Sequence, residues 1–297
     1  MSHRDIVLVT EDRYVNPQHT NDYIDNILRD DALLIDAFAQ HGLSAERISW
    51  SDSTFDWSSP TCIIFRTMWD YFNRFAAFTQ WLNHIADKTM CINAIETVRW
   101  NMDKHYLADL QQAGVPIVET QFIEKGSSLT LENILGNVNR GIIKPAVSGA
   151  ARHTYVVEAD TIKQIQPIFT ELITQEAMLF QPFQEAILSF GEVSCMLMGG
   201  QFTHAVLKRA KSGDFRVQDD FGGTVHPYTP TPEEIAFAEL AIASCPTLPA
   251  YARVDFTRNI HGSPLLMELE LIEPELWFRK HPNAASKLAQ FISQNYF

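Results

Sequence analysis

Apolar residues recur along this chain at two spacings, one near 3.6 residues and one of two, and their order predicts the architecture. Residues 6–10 form a short apolar run of the kind that becomes a buried parallel strand. Leu33, Leu34, Ala37 and Phe38 lie at helical spacing within residues 30–40, and Gly42 supplies the stop. Residues 45–50, 61–65 and 90–93 read as further strands, and 72–85 as a helix with Phe75, Phe78, Leu82 and Ile85 on one stripe. Alternating strands and helices predict a parallel α/β domain over residues 1–95. A second unit, residues 96–184, begins with a helix at 103–112 that carries Lys104 in its first turn. Strands at 117–120, 141–144, 154–158 and 177–181 and a helix at 160–174 complete it. The third unit, residues 185–297, opens with a hairpin of 191–198 and 201–208 around Gly199 and Gly200. Helices at 232–243 and 283–294 flank a second hairpin. The predicted class is α/β with an antiparallel C-terminal sheet, an α+β arrangement.

That second hairpin carries the densest chemistry. Residues 251–257 alternate Arg253 and Asp255 against Ala252, Val254 and Phe256. Residues 265–272 alternate Glu268 and Glu270 against Leu265, Met267, Leu269 and Leu271. A turn centred between His261 and Gly262 sets Asp255 opposite Glu268 and Arg253 opposite Glu270. Directly opposed side chains share a face roughly 5 Å apart, and like charges so placed need a counter-charge. Magnesium takes one or two protein carboxylates plus substrate phosphates, so a magnesium–nucleotide site is the economical reading. An exposed polar face is the competing one.

Charge narrows the field. With a net charge of −13 the chain has no basic stripe with which to neutralise a nucleic-acid backbone. The four cysteines are scattered without metal spacing and read as core residues of a reducing compartment. No segment approaches the length of apolar run that spans a bilayer. The expectation is a soluble cytoplasmic protein that binds neither nucleic acid nor membrane, with a symmetric homodimer as the commonest assembly.

Other segments point to an anionic ligand. Ile142-Ile143-Lys144 ends an apolar strand in a lysine, which favours an ammonium that meets an anion. Ser148, Gly149, Ala150, Ala151 and Arg152 follow, small residues plus a cation suited to cradle a phosphate. Gln181-Pro182-Phe183 reads as a hinge. Lys208, Arg209, Lys211 and Arg216, followed by Gly222 and Gly223, form a cationic glycine-marked loop in an otherwise acidic chain. In the first unit, Arg66-Thr-Met-Trp69-Asp70-Tyr71 falls at the carboxyl end of a parallel strand, where such sheets bind ligands. Arg66 is expected to take a substrate carboxylate, with Trp69, Asp70, Tyr71 and Asn101 as companions at the substrate end.

In this order the motifs resemble the ATP-grasp superfamily over roughly residues 96–278. ARVDF and MELEL are similar to that family's two metal strands. RTMWDY, WNMDKHYL, KPAVSGAARHT, GDFRVQ and ELIEPELWF are similar to its glutathione-synthetase-like group, which includes the ligase closing the cycloserine ring. The resemblance implies an ATP-grasp fold of N-terminal, central lid and C-terminal catalytic domains. It implies ATP with magnesium, or manganese in its place, held by Asp255, Glu268 and Glu270. Arg253, Arg216 and Lys144 would be catalytic, and Lys104 and Lys144 would hold nucleotide phosphates beside the 148–154 loop. Backbone groups of Gln181, Pro182 and Phe183 would read adenine. Glu192, or Glu185 in second place, would bind the ribose. Glu270 stands where the family often has Asn, which makes the site more electronegative. The implied activity is carboxylate–amine ligation through an acylphosphate on a small amino-acid-like substrate. The rivals are a peptide or protein-tail amino-acid ligase and a nucleotide-binding module without turnover.

Overall fold

The computed structural model describes residues 4–211, 213–217 and 222–297; Gln218 of the GDFRVQ motif lies outside them. Among the described residues thirteen strands form three sheets. The first is parallel: β1 (Arg4–Thr10), β2 (Ala45–Ser49), β3 (Pro60–Thr67) and β4 (Met90–Ile92) stand in the order β2-β1-β3-β4. Its central strands are buried on both faces, as expected of a parallel sheet covered by helices. The covering helix Asp22–Gln40 starts eight residues before the expected residue 30, because Asn21 caps its first turn. Helix Phe75–Ile85 packs its Phe78, Trp81, Leu82 and Ile85 inward.

The second sheet contains β5 (Gln121–Ile123), β6 (Arg140–Pro145), β7 (Tyr155–Glu158) and β8 (Met178–Pro182) in the antiparallel order β5-β8-β6-β7. Helices Leu131–Leu135 and Ile162–Gln175 cover one face and share its apolar core. The strand expected at 117–120 is absent. Ile117 makes one isolated bridge to Leu266, and pairing begins at Gln121.

The third sheet is antiparallel: β9 (Glu192–Met198), β10 (Gln201–Arg209), β11 (Thr224–Tyr228), β12 (Tyr251–Arg258) and β13 (Pro264–Glu270), ordered β11-β10-β9-β12-β13. One face packs on helix Pro232–Ala243, which begins with a Thr231–Glu234 capping box and proline in its first turn. Helix Tyr106–Gln112 buries Tyr106, Leu107 and Leu110 in that same core. Lys104 sits two residues ahead of this helix, because the hydrogen-bonded turn at Asp103–His105 comes first. Helix Asn283–Tyr296 packs on helix Asp22–Gln40, joining the first and third sheets through one core.

The β12–β13 register is the expected one where it matters: Arg253 opposes Glu270 and Asp255 opposes Glu268. Toward the turn it slips by one residue, with Phe256 opposite Leu266, so Met267 is the extra residue of a β-bulge. The bulge reverses the expected faces of Leu266 and Met267. Leu266 enters the core at 0% exposure, while Met267 joins Glu268 on the cavity side.

Candidate active site

A cavity of about 760 Å³ opens between the three sheets. One end is apolar, lined by Val118, Ile142, Pro182, Phe183, Ile187 and Met267. At the other end Tyr14, Tyr23, Trp69, Phe72 and Asn73 of the first unit form the wall. Between them run the charged residues of β9, β10, β12 and β13.

The charges alternate in sign. Lys208 at the end of β10 joins the Glu192 carboxylate to Asp255, 3.2 Å from the latter. Asp255 receives Nε of Arg253 at 3.0 Å, Nη2 at 2.9 Å and the Ser194 hydroxyl at 2.6 Å. The same guanidinium pairs with Glu270 and lies over the Trp277 ring, 5.4 Å from its centre. Lys104 pairs with Glu268 at 3.0 Å and donates to the Ser148 carbonyl. Burial alone would raise the Asp255 carboxyl, but Arg253 and Lys208 outweigh it and hold it down to about 2. Glu270 goes the other way: burial, opposed by Arg253 and reinforced by Glu268 and Asp255, lifts it to about 7. Lys144 is lowered by burial, with Glu268 pulling against this and Lys104 adding to it.

Asp255, Glu268 and Glu270 do not form a closed cage. Among the described residues no three acidic, histidine or cysteine side chains are arranged to enclose an ion. Their chemistry nonetheless suits a magnesium ion that arrives with phosphates: these are hard oxygen donors on one face, lining the cavity beside Lys144 and Arg253.

Residues 148–152, expected to cradle a phosphate, line the cavity. Ala150, Ala151 and His153 hold φ values of 49°, 55° and 48°, a left-handed conformation that strains a residue bearing Cβ. The Ser148 hydroxyl donates to the Arg152 carbonyl, and Arg152 makes a two-pronged pair with Glu176 at 2.8 and 2.9 Å. Gly149 approaches Phe72 so closely that a Cβ would stand 2.7 Å from the ring. Arg216 lines the cavity, and Asp214 accepts from it at 2.7 Å.

Several expected positions have other roles. Arg66 is 2% exposed; it bonds Asp31 at 3.1 Å and the Pro274 carbonyl, and stacks over Phe278. It is a strut between elements, because Asp31 from the covering helix reaches it before any ligand can. Asp70 accepts from Trp50 at 2.7 Å and Arg74 at 2.9 Å, outside the cavity lining. Tyr71 is buried against Phe72 and Phe78. Asn101 serves the backbone at the end of β13: its amide donates to Leu269 O, and its carbonyl accepts from Leu271 N. Glu185 is exposed near Arg140, leaving Glu192 as the acid that lines the cavity. Gly222 and Gly223 do not line it; they lead into the exposed strand β11. In the hinge, Pro182 has no N–H and Phe183 gives its own to the Arg140 carbonyl, so these two residues cannot donate to a base.

Trp69 does line the cavity. So do Arg13, Tyr14, Tyr23, Lys208, Met267, Glu273 and Trp277, which were not assigned from the sequence to specific site roles. Lys208 carried the same signal as Lys144, an apolar strand ending in a lysine. Arg13 and Tyr14 follow β1 at the carboxyl end of the sheet, the rule that pointed to residues 66–71.

Glu273 gives a pH-dependent signature. Burial, then the charge of Glu270, raises its carboxyl to about 8, so the folded chain binds that proton more tightly than the unfolded one. Its contribution to stability is present at low pH and is lost as pH rises through 8. Below about pH 6.5 His204, lowered to about 4 chiefly by burial, acts in the opposite sense. The ligand-free protein is therefore expected to melt higher at pH 7 than at pH 8.5, and Glu273→Gln to flatten that interval. Thermal unfolding at the two pH values measures both; an unchanged slope in the variant would assign the effect elsewhere.

Comparison with known proteins gives the family. Residues 107–280 match the RimK-like ATP-grasp domain, and residues 6–93 match the N-terminal domain of D-cycloserine synthetase DcsG. The chain is 27% identical over 281 residues to the cycloserine biosynthesis protein DcsG of Streptomyces lavendulae, covering 88% of this chain and 92% of that one. It superposes on the crystal structure of D-cycloserine synthetase DcsG with a TM-score of 0.87, at 26% identity, over 98% of this chain and 99% of the other. A probable alpha-L-glutamate ligase of Thioalkalivibrio sulfidiphilus (strain HL-EbGR7) is 27% identical over 193 residues, 63% of this chain and 61% of that protein. The chain belongs to the RimK-like ATP-grasp family, enzymes that use ATP to form carbon–nitrogen bonds.

Proposed function

We propose that this enzyme activates the carboxylate of a small amino-acid-like substrate as an acylphosphate and closes it onto a nitrogen, with D-cycloserine formation from O-ureido-D-serine as the specific reaction. The observation that carries this reading is the substrate-side wall. Tyr14, Tyr23, Trp69, Phe72 and Asn73 come from the stretch matched by the DcsG N-terminal domain, so the likeness includes the part of the cavity that chooses the substrate. A protein-tail ligase would want an open basic acceptor groove, whereas here seven lysines and arginines are accompanied by six acids and an aromatic wall.

In this reading the adenine lies in the apolar end, against Ile142, Phe183 and Met267, with Gln181 at the hinge and Glu192 toward the ribose. Lys104, Lys144 and the 148–152 loop hold the phosphates. Asp255, Glu268 and Glu270 would hold magnesium, which when bound neutralises phosphate charge. The carboxylate attacks the γ-phosphorus, and Arg253, Lys144 and Arg216 stabilise the transferring group by fixed positive charge. Closure of the strained 148–154 loop keeps water from the acylphosphate.

The test is ADP release from ATP and magnesium with a panel of amino acids, dipeptides and aminooxy- and ureido-serines, with Glu268→Gln as control. The expected result is turnover with O-ureido-D-serine, lost in the variant. ATP binding with no acid-stimulated ADP release would favour a nucleotide binder without turnover.

A further inference from the structure

Glu192, Asp255, Glu268, Glu270, Glu273 and Glu275 line the cavity, and five of them have cationic partners. Lys208 serves Glu192 and Asp255, Lys104 serves Glu268, Arg253 serves Asp255 and Glu270, and Arg279 serves Glu275. Among the described residues no cation lies within ion-pair distance of the Glu273 carboxylate. A half-buried carboxyl without a counter-charge is unfavourable unless a ligand group meets it.

The backbone around Glu273 is held at four successive carbonyls by four different side chains. Tyr251 Oη donates to Ile272 O at 3.0 Å, Trp69 Nε1 to Glu273 O at 2.9 Å, Arg66 Nη1 to Pro274 O at 3.4 Å and Arg253 Nη1 to Glu275 O at 3.5 Å. Two of these donors, Arg66 and Trp69, come from the RTMWDY segment, and Trp69 also forms the substrate-side wall. The arrangement fixes one unpaired acid between the Arg253–Glu270 pair and the substrate end. A reacting group held this firmly needs little reorganisation during the reaction.

We propose that Glu273 is a catalytic base that receives the attacking nitrogen and takes its proton; this rests on the ligase reading above. The nitrogen is the uncharged N–H that joins the ureido carbonyl to the side-chain oxygen. Its lone pair forms the new C–N bond at the acyl carbon, and the bond from that carbon to the phosphate oxygen breaks. Phosphate leaves with the electron pair, and the proton shed by nitrogen passes to the Glu273 carboxylate; the carbamoyl group still on that nitrogen is cleaved afterwards by water, which takes it away as carbamic acid and leaves the ring N–H. Burial and the Glu270 charge raise this carboxyl, Lys104 opposes and Glu268 adds, and the result of about 8 lies close to neutral pH, where proton transfer is efficient.

Separating the two half-reactions tests the proposal. The full-length protein is given ATP, magnesium, O-ureido-D-serine and hydroxylamine, which traps an acylphosphate as a hydroxamate. Glu273→Gln is expected to form hydroxamate and release ADP at the wild-type rate while ring closure falls by about 10²-fold or more. Glu273→Asp should recover part of the ring closure. Equal ATP-induced thermal shifts in the three proteins check the fold. Loss of hydroxamate together with product would place Glu273 in carboxylate activation and overturn the proposal, as would ring closure at the wild-type rate in Glu273→Gln. If the wild-type protein forms neither hydroxamate nor ADP with any acid of the panel, the ligase reading itself fails, and the proposal falls with it.

Discussion

Arg253→Met is expected to lower turnover by about 10²- to 10³-fold, the loss typical when a preorganised transition-state donor is removed. The guanidinium has two tasks. It faces the cavity where the proposed reaction places the phosphoryl charge, and it separates Asp255 from Glu270, to each of which Nη2 donates. Methionine fills similar space but leaves the two carboxylates without the cation between them. One of them should then hold a proton and offer a poorer donor set to a metal. The effect should fall on kcat more than on KM for ATP, because the lysines and the 148–152 loop remain. Arg253→Lys keeps the charge but not the planar fork, so it should recover little. Steady-state kinetics of ADP release decides the matter, and an unchanged kcat in Arg253→Met would remove this residue from phosphoryl transfer.

Lys208→Met should produce the largest loss of stability. Its ammonium is 5% exposed as a residue and lies between Glu192 and Asp255, which are also buried. Removing it breaks the Glu192 ion pair and leaves Asp255 with Arg253 alone of its two cations, and breaking a buried pair from one side costs about 3–5 kcal/mol. Neutralising one acid as well, in Glu192→Gln/Lys208→Met, should return part of the loss. Chemical denaturation of the four proteins of this cycle is expected to give a coupling of about 0.5–3 kcal/mol. Strict additivity would show that Lys208 and Glu192 do not act as a unit.

Much of this site was legible because its chemistry is local. Alternation placed Arg253 and Asp255 on one face of β12, and the turn put Glu270 and Glu268 opposite them. Lys144 revealed itself as a charge at the end of an apolar strand, and helix Pro232–Ala243 by its proline and acidic first turn. Local reasoning failed where partners come from far along the chain. Arg66 looked like a substrate ligand until Asp31, 35 residues away, took its guanidinium. Asn101 looked like a pocket residue, yet it fastens the backbone of β13 from 168 and 170 positions away. Glu273 lay in a quoted motif without an assigned task. Its significance is that it lacks a cation, and a sequence cannot show which acids are paired.

The order of residues by itself determined the secondary-structure rhythm, the two charged strands of the second hairpin and the sign of charge along each. These depend on period, propensity and turn residues within a few positions. Tertiary structure alone decided that Met267 faces the cavity, because Met267 is itself the extra residue of the β-bulge opposite Asp255–Phe256 and reverses the alternation. It also decided that Arg66 and Trp69 buttress the 272–275 backbone, and that five cavity acids are neutralised while Glu273 is not. Those outcomes rest on distances of a few ångströms between residues far apart in the chain, which only packing brings together.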